Sequence, residues 1–256
     1  MMPDAVIAAL AIPDTARVDQ RITKKLLTEQ GAPTAADKRA IQDGVTELLW
    51  IAALKPTNIG VPVWKDETGE YLEIAVITAS LREGAKAARL TELIHRAVPY
   101  PVLLIAEDGK QAEISLAHKR ASQSEKAAVV LDGPLVPAPL GTVADAQEAA
   151  FMASLSIASQ PQQHLRALYQ GWIDCCAGLA ASRLTGAFNL PKSYEEAALR
   201  RAALDTHARV TREIVMLRKK AARETQINRR VELNLAIQRL EAELIAAKAT
   251  LARGQG

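Results

Sequence analysis

The segment Pro101–Lys119 reads PVLLIAEDGKQAEISLAHK, and its pattern is that of a β-hairpin. Asp108-Gly109 is a favoured pair for a two-residue turn, whose central positions need the positive φ that Gly and Asp tolerate, and alternating apolar residues flank it. Val102, Leu104 and Ala106 are expected to share one face, answered across the hairpin by Ala112, Ile114 and Leu116. A sheet therefore lies at the centre of the first half of the chain.

Working outward, AARLTELIHRAV upstream of the hairpin is a helix by its Leu90, Leu93, Ile94 and Ala97 stripe, stopped before Pro99. YLEIAVITASL is a strand rich in branched residues that ends at Ser80. LLWIAALKPT reads as a buried strand from about Leu49, because Lys55-Pro56 ends it abruptly. Before it, TAADKRAIQDGVTEL offers Thr34 as N-cap and Ile41, Val45 and Leu48 at helical spacing. Downstream, KAAVVLDG closes the sheet as a last strand. Three prolines and two glycines then lie between Asp132 and Gly141, and across them the pattern turns from strand-like to helical. The expected fold class is α+β: a small mixed α/β N-terminal domain over residues 1–135, then an all-α C-terminal domain over 141–256 with long coiled-coil-like helices.

In that second part ADAQEAAFMASLSIASQ is one helical element and PQQHLRALYQGWIDCCAGLAASRLTG the next, opening at Pro161 and closing at Gly186. From Lys192 to Arg253 there is neither Gly nor Pro, and Ser193 followed by Glu196 makes a capping box. Unbroken, Ser193–Ala252 would extend about 90 Å at the helical rise. Either the helix protrudes or it folds back as a hairpin without an obvious breaker. Val210, Ile214, Leu217 and Ala221 form a narrow stripe that runs into Glu224 and Asn228. Leu233, Ile237, Leu240, Leu244, Ala247 and Leu251 resume it in another register, as at a stutter. Two polar layers and a change of stripe mark a place where the helix meets a different surface.

The net charge of +3 is too small to imply nucleic-acid binding by itself. Its distribution is uneven: Lys192–Arg253 holds 14 Lys/Arg against 8 Asp/Glu. Aromatics make up only 4% of the chain, so the core rests on Ala, Leu, Ile and Val. Cys175 and Cys176 are neighbours on a helix, where side chains point about 100° apart, which disfavours a disulfide and fits a reducing compartment. The N-terminal residues lack a basic leader and no apolar run approaches the length of a membrane span, so a cytoplasmic protein is expected.

Arg218, Lys219, Lys220, Arg223, Arg229 and Arg230 line the polar middle of the long helix. They read as a solvated helix face or as a strip for phosphates or an acidic partner, with docking of a partner favoured over base reading because no aromatic residue is interleaved. Leu233, Ile237, Leu240 and Leu244 are spaced as anchors for a partner groove, although a homodimeric coiled coil or a helix pair within one chain would satisfy the same stripe. His118, Lys119 and Arg120 end an apolar strand together, as a functional strand terminus or as charges that protect a sheet edge. The four histidines and two cysteines match no zinc spacing, and no phosphate-loop, dinucleotide or nucleophile-elbow motif occurs, so neither a cofactor nor a metal is expected. The sharpest catalytic alternative is a degenerate metal-dependent nuclease using Glu73, Glu113 and Lys119. It lacks the usual acid-x-Lys spacing, and an enzyme is the less favoured reading.

Several blocks are specific in wording and order: RVDQRITKKLLTEQGAPTAADKR, LKPTNIGVP, LTELIHRAVPYPVLLI, SLAHKR and NRRVELNLAIQRLEAEL. Over nearly the whole chain they resemble the bacterial domain-of-unknown-function family 4391. The resemblance implies no assigned catalytic activity. It implies an accessory protein encoded beside helicases and DNA methyltransferases in restriction-like or phage-defence loci, with such an enzyme as partner and DNA as a second ligand. It also directs attention to Arg21, Lys24, Lys25, His118, Lys119 and Arg120, which lie in the recurring blocks.

Overall fold

The computed structural model describes residues 2–122, 129–141 and 145–253. The elements in chain order are α1 (Met2–Leu10), β1 (Arg17–Arg21), α2 (Lys24–Gln30), α3 (Ala35–Gly44), β2 (Val45–Leu54), α4 (Pro56–Ile59), β3 (Trp64–Lys65) and β4 (Glu70–Tyr71). Then follow β5 (Ile74–Leu81), α5 (Ala87–Ala97), β6 (Val102–Glu107), β7 (Ala112–Ala121), β8 (Val129–Leu140), α6 (Ala146–Ala153), α7 (Leu165–Thr185), α8 (Tyr194–Arg223) and α9 (Ile227–Arg253). The fold is α+β, with a sheet in the first part and helices in the second. Two compact units divide within α7, at Met1–Cys176 and Ala177–Gly256.

The first unit is built on a six-stranded sheet of order β1-β2-β5-β6-β7-β8. Only β5 and β6 run parallel, joined by the crossover helix α5; every other neighbouring pair is antiparallel. Helices α2, α3 and α5 cover one face, where Leu27, Ile41, Leu90, Leu93 and Ile94 pack on Ala75, Ile77, Val102 and Leu104. Alternation along β6 sends Leu103 and Ile105 to the opposite face, where α1 meets β6 and Tyr169 of α7 is fully buried.

Local rules placed several of these boundaries. Thr34 caps α3 by accepting from the Asp37 N–H at 3.1 Å. That helix stops at Gly44, however, and Val45 and Leu48 belong to β2, where four β-branched or aromatic side chains in ten residues favour extended backbone. The turn after β6 has four residues, not two. Asp108 Oδ1 accepts from the N–H groups of Lys110 and Gln111, and Gly109 takes φ +81. Leu104 therefore faces Ser115 and Ala106 faces Glu113, so Ala112, Ile114 and Leu116 answer the other face of β6.

The Pro-rich stretch expected to separate two domains is instead most of β8, at the edge of the sheet. Pro137 and Pro139 pair with Ser115 and Glu113, so their nitrogens, which carry no hydrogen, take outward-facing places on a free edge. Gly133, at φ +93, sits where the register shifts. Lys126–Ala128 of the expected last strand and Thr142–Ala144 of the expected boundary lie outside the described residues.

In the second unit α8 and α9 form an antiparallel hairpin. The 60-residue span is therefore folded back, and the polar middle is its turn. Glu224 leaves the helical region at φ −79, ψ 124, and its carboxylate accepts the Gln226 N–H at 2.9 Å. An acidic side chain at the N-terminus of α9 also suits the helix dipole. The turn thus needs neither Gly nor Pro. Ser193 caps α8 by accepting from the Glu196 N–H.

Candidate functional site

Val210 and Ile214 of α8 pack against Ile237, with Leu217, Leu240 and Leu244 around them. Ala181, Ala203 and Leu251 form a second small cluster. Three of the four leucine and isoleucine residues expected to anchor a partner, Ile237, Leu240 and Leu244, thus face α8 within the same chain, and Leu233 is half-buried. Salt bridges from Arg218 to Glu241, at 2.7 Å, and from Arg209 to Glu243 tie the helices together.

At about 100° per residue the outward side of α8 carries Arg212, Lys219 and Arg223 within roughly 40° of one another. All three are exposed, with Lys220 and Met216 beside them. Across the turn, Arg229 and Arg230 are also exposed. Arg218 is held by Glu241, whereas Lys219, Lys220, Arg223, Arg229 and Arg230 have no carboxylate partner among the described residues. Five of the six basic residues of the expected strip thus lie exposed about the turn of the hairpin, and the sixth, Arg218, is paired across it. Such a surface attracts anions over a Debye length.

The outward side of α9 is apolar where that of α8 is basic. Ile227, Val231, Leu235 and Ile245 are 68%, 51%, 51% and 68% exposed. The four-residue recurrence of Ile227, Val231 and Leu235 is legible in the sequence, but it overlaps the inward stripe along the chain, and no local rule says which of two stripes α8 will cover.

The basic blocks of the first unit do not merge into one patch. Arg21, Lys24 and Lys25 lie at the β1 edge, where the Lys24 ammonium donates to the Gln42 carbonyl at 3.0 Å and Lys25 is exposed opposite Glu29. His118, Lys119 and Arg120 lie on β7, four strand spacings away, or about 19 Å. Within that second block successive side chains diverge as a strand requires. His118 turns toward α7, Lys119 toward α5, and Arg120 stays half-exposed near Asp132.

Two polar networks result. The Lys119 N–H donates to the Tyr71 hydroxyl at 3.3 Å, which directs the hydroxyl's own proton to His118 Nδ1 at 2.5 Å. His118 Nε2–H then donates to Gln170 Oε1 at 2.8 Å, and the Gln170 amide donates to Asp174 at 2.9 Å. Burial pushes the Tyr71 phenol up to about 12, so it remains a donor across the neutral range. Beside it Trp64 stacks edge-on against Tyr71, with the Arg166 guanidinium 4.6 Å from the Trp64 ring centre. On the other face the buried Lys119 ammonium donates to the carbonyls of His95 and Val98, the unfilled acceptors at the C-terminal end of α5.

Two residues of the nuclease alternative stand far apart on one strand. Glu113 and Lys119 are six residues apart on β7, roughly 20 Å along the strand. Glu73 pairs with Lys55 at 3.0 Å. Among the described residues no three His, Cys, Asp or Glu side chains are grouped to hold a metal ion, and no helix is long and apolar enough to cross a membrane.

No curated protein and no solved structure matches this chain. One family model does, over residues 10–244, from the last residue of α1 to two thirds of the way along α9. The blocks that form the sheet, the helix α5 with its Lys119 cap, and the hairpin turn all fall inside that span, and the chain belongs to the family described as Domain of unknown function (DUF4391).

Proposed function

We propose that this chain is a non-catalytic accessory subunit of a bacterial phage-defence or restriction-modification-like complex. It docks an acidic surface of a partner through the basic outer side of the α8–α9 hairpin. The observation that carries the docking reading is the row Arg212, Lys219 and Arg223, exposed and, for the latter two, unpaired by acids among the described residues. The resemblance noted above supplies the context, with a helicase or DNA methyltransferase as the partner. The side chains of the alternative active site already have structural tasks: Lys119 caps α5 and Glu73 holds Lys55.

The test is co-purification of the full chain with a helicase or methyltransferase encoded beside it. The wild type is compared with the double variant Lys219→Glu/Arg223→Glu. Retention by the wild type and loss in the variant supports the reading; equal retention, or none by either, removes it. Binding of duplex DNA in place of protein would show as a steep loss of affinity with salt.

One observation favours the alternative, a metal-dependent nuclease: Glu73 is buried, and its Oε1 lacks a hydrogen-bond partner among the described residues. Incubation with DNA and Mg²⁺ or Mn²⁺ decides it. Cleavage abolished by Glu73→Ala would establish the nuclease, and absence of cleavage by the wild type would end it.

A further inference from the structure

We propose that the outer side of α9 seats an amphipathic helix of a partner protein, whose apolar ridge is flanked by acidic residues. This rests on the reading above that the hairpin docks a partner, and it adds a second contact on the side of the hairpin away from the α8 row. α9 is apolar on two sides. Taken at about 100° per residue, Leu233, Ile237, Leu240 and Leu244 fall within roughly 60°, and the last three pack on α8. Ile227, Val231, Leu235, Ala242 and Ile245 fall within about 80° on the roughly opposite side, interrupted only by Gln238. A helix apolar on both sides is one that lies between two packing partners, and α8 supplies only the first. The second row runs almost five turns, the length over which a docked helix places anchors at every fourth residue.

The charges beside the row select the occupant. Arg230 and Lys248 lie along one flank and Arg239 along the other. Of the acids on these flanks, Glu241 is engaged by Arg218 and Glu243 by Arg209, which leaves Glu232. A second copy of this chain would bring a second set of Arg230, Arg239 and Lys248 with Glu232 as its single unengaged acid, and so would leave the flanks in cationic excess. A nucleic-acid backbone would gain nothing from Ile227, Val231 and Leu235, since phosphates need cations and not methyl groups. A helix with leucines on its ridge and glutamates beside them satisfies both parts of the surface.

The test uses the full chain and a synthetic helical peptide of about 20 residues, long enough to hold helix, with a leucine at every fourth position and glutamates beside them. A matched peptide carries lysines in place of glutamates. In fluorescence anisotropy the acidic peptide is expected to bind about ten-fold tighter than the basic one, and Val231→Asp to weaken it about ten-fold, as loss of one buried apolar anchor implies. Circular dichroism checks that the variant is folded, as expected for a side chain already half in water. Equal affinity for the two peptides, or no effect of Val231→Asp, overturns the seat. If binding falls in Lys219→Glu/Arg223→Glu but not in Val231→Asp, docking by charge stands and the α9 seat falls. A wild type dimeric by light scattering and a monomeric Val231→Asp would assign the row to a second copy and overturn the proposal.

Discussion

Lys119, on β7, donates its ammonium to the main-chain carbonyl of His95 at 2.5 Å, closing the C-terminal end of α5 from the sheet side. A lysine that reads in sequence as part of a basic block is thus a buried helix cap. Burial pulls its amine down to about 7 from an ordinary 10.5. The unfolded chain therefore binds more protons than the folded one between those values. Stability is expected to be fully present above about 10.5 and lost progressively as pH falls toward 7. Urea denaturation of wild type and Lys119→Met at pH 7, 8.5 and 10 checks this. The wild type should gain stability with pH across the window, and the variant should be flat there.

His95 gives the acid counterpart. Burial, then the nearby Lys119 charge, holds its imidazole down to about 3 against an ordinary 6.5, and it shares a 2.9 Å hydrogen bond with Ser115. Its neutral form is the folded form. Stability is present above pH 6.5 and drains as pH falls through that value toward 3. Replacement by an isosteric apolar residue, His95→Leu, should reduce the slope of stability against pH between 6 and 4, measured by thermal denaturation.

Tyr169 bridges two strands just past their last regular pair, Leu104 with Ser115. Its hydroxyl accepts from the Ala117 N–H at 2.9 Å and donates to the Val102 carbonyl at 2.7 Å. Tyr169→Phe leaves both main-chain groups buried without that partner, at a cost of about 1–3 kcal/mol. Chemical denaturation should show the loss, with the fold retained.

Gly31 ends α2 against α5, where a Cβ would meet the Leu93 carbonyl oxygen at 2.6 Å and Ala97 Cβ at 2.7 Å. Neither neighbour is a flexible side-chain end. Gly31→Ala should therefore destabilise by roughly 1–3 kcal/mol through overpacking, even though alanine is the better helix former.

The two apolar sides of α9 separate by stability. Ile237 is buried against α8, and Ile237→Ala should cost about 2–4 kcal/mol. Val231 faces outward, and Val231→Asp should change stability by no more than about 0.5 kcal/mol. Equal destabilisation of the two variants would mean that the hairpin is packed differently.

Much of the first unit was legible because its signals are local. Thr34 followed by Asp37, the Leu90–Ala97 stripe ending before Pro99, and the alternation around Asp108-Gly109 each act within a few residues. Where structure and expectation differ the cause is local too: a four-residue turn changes which side chains share a face, and the prolines after Asp132 fit an edge strand. The candidate residues were harder. Nothing in SLAHKR says that His118 will meet Tyr71 and Gln170 on one face while Lys119 caps a helix on the other.

The sequence by itself determined the element types, most of their ends, the excess of positive charge in the last quarter of the chain, and the family. Tertiary structure alone decided the strand order, the fold-back at Glu224–Gln226, and which of α9's two apolar stripes is covered. The reason is that periodicity records the side of an element that avoids water. It carries no record of the neighbour that shields it, since that neighbour is fixed by contacts between residues distant in sequence.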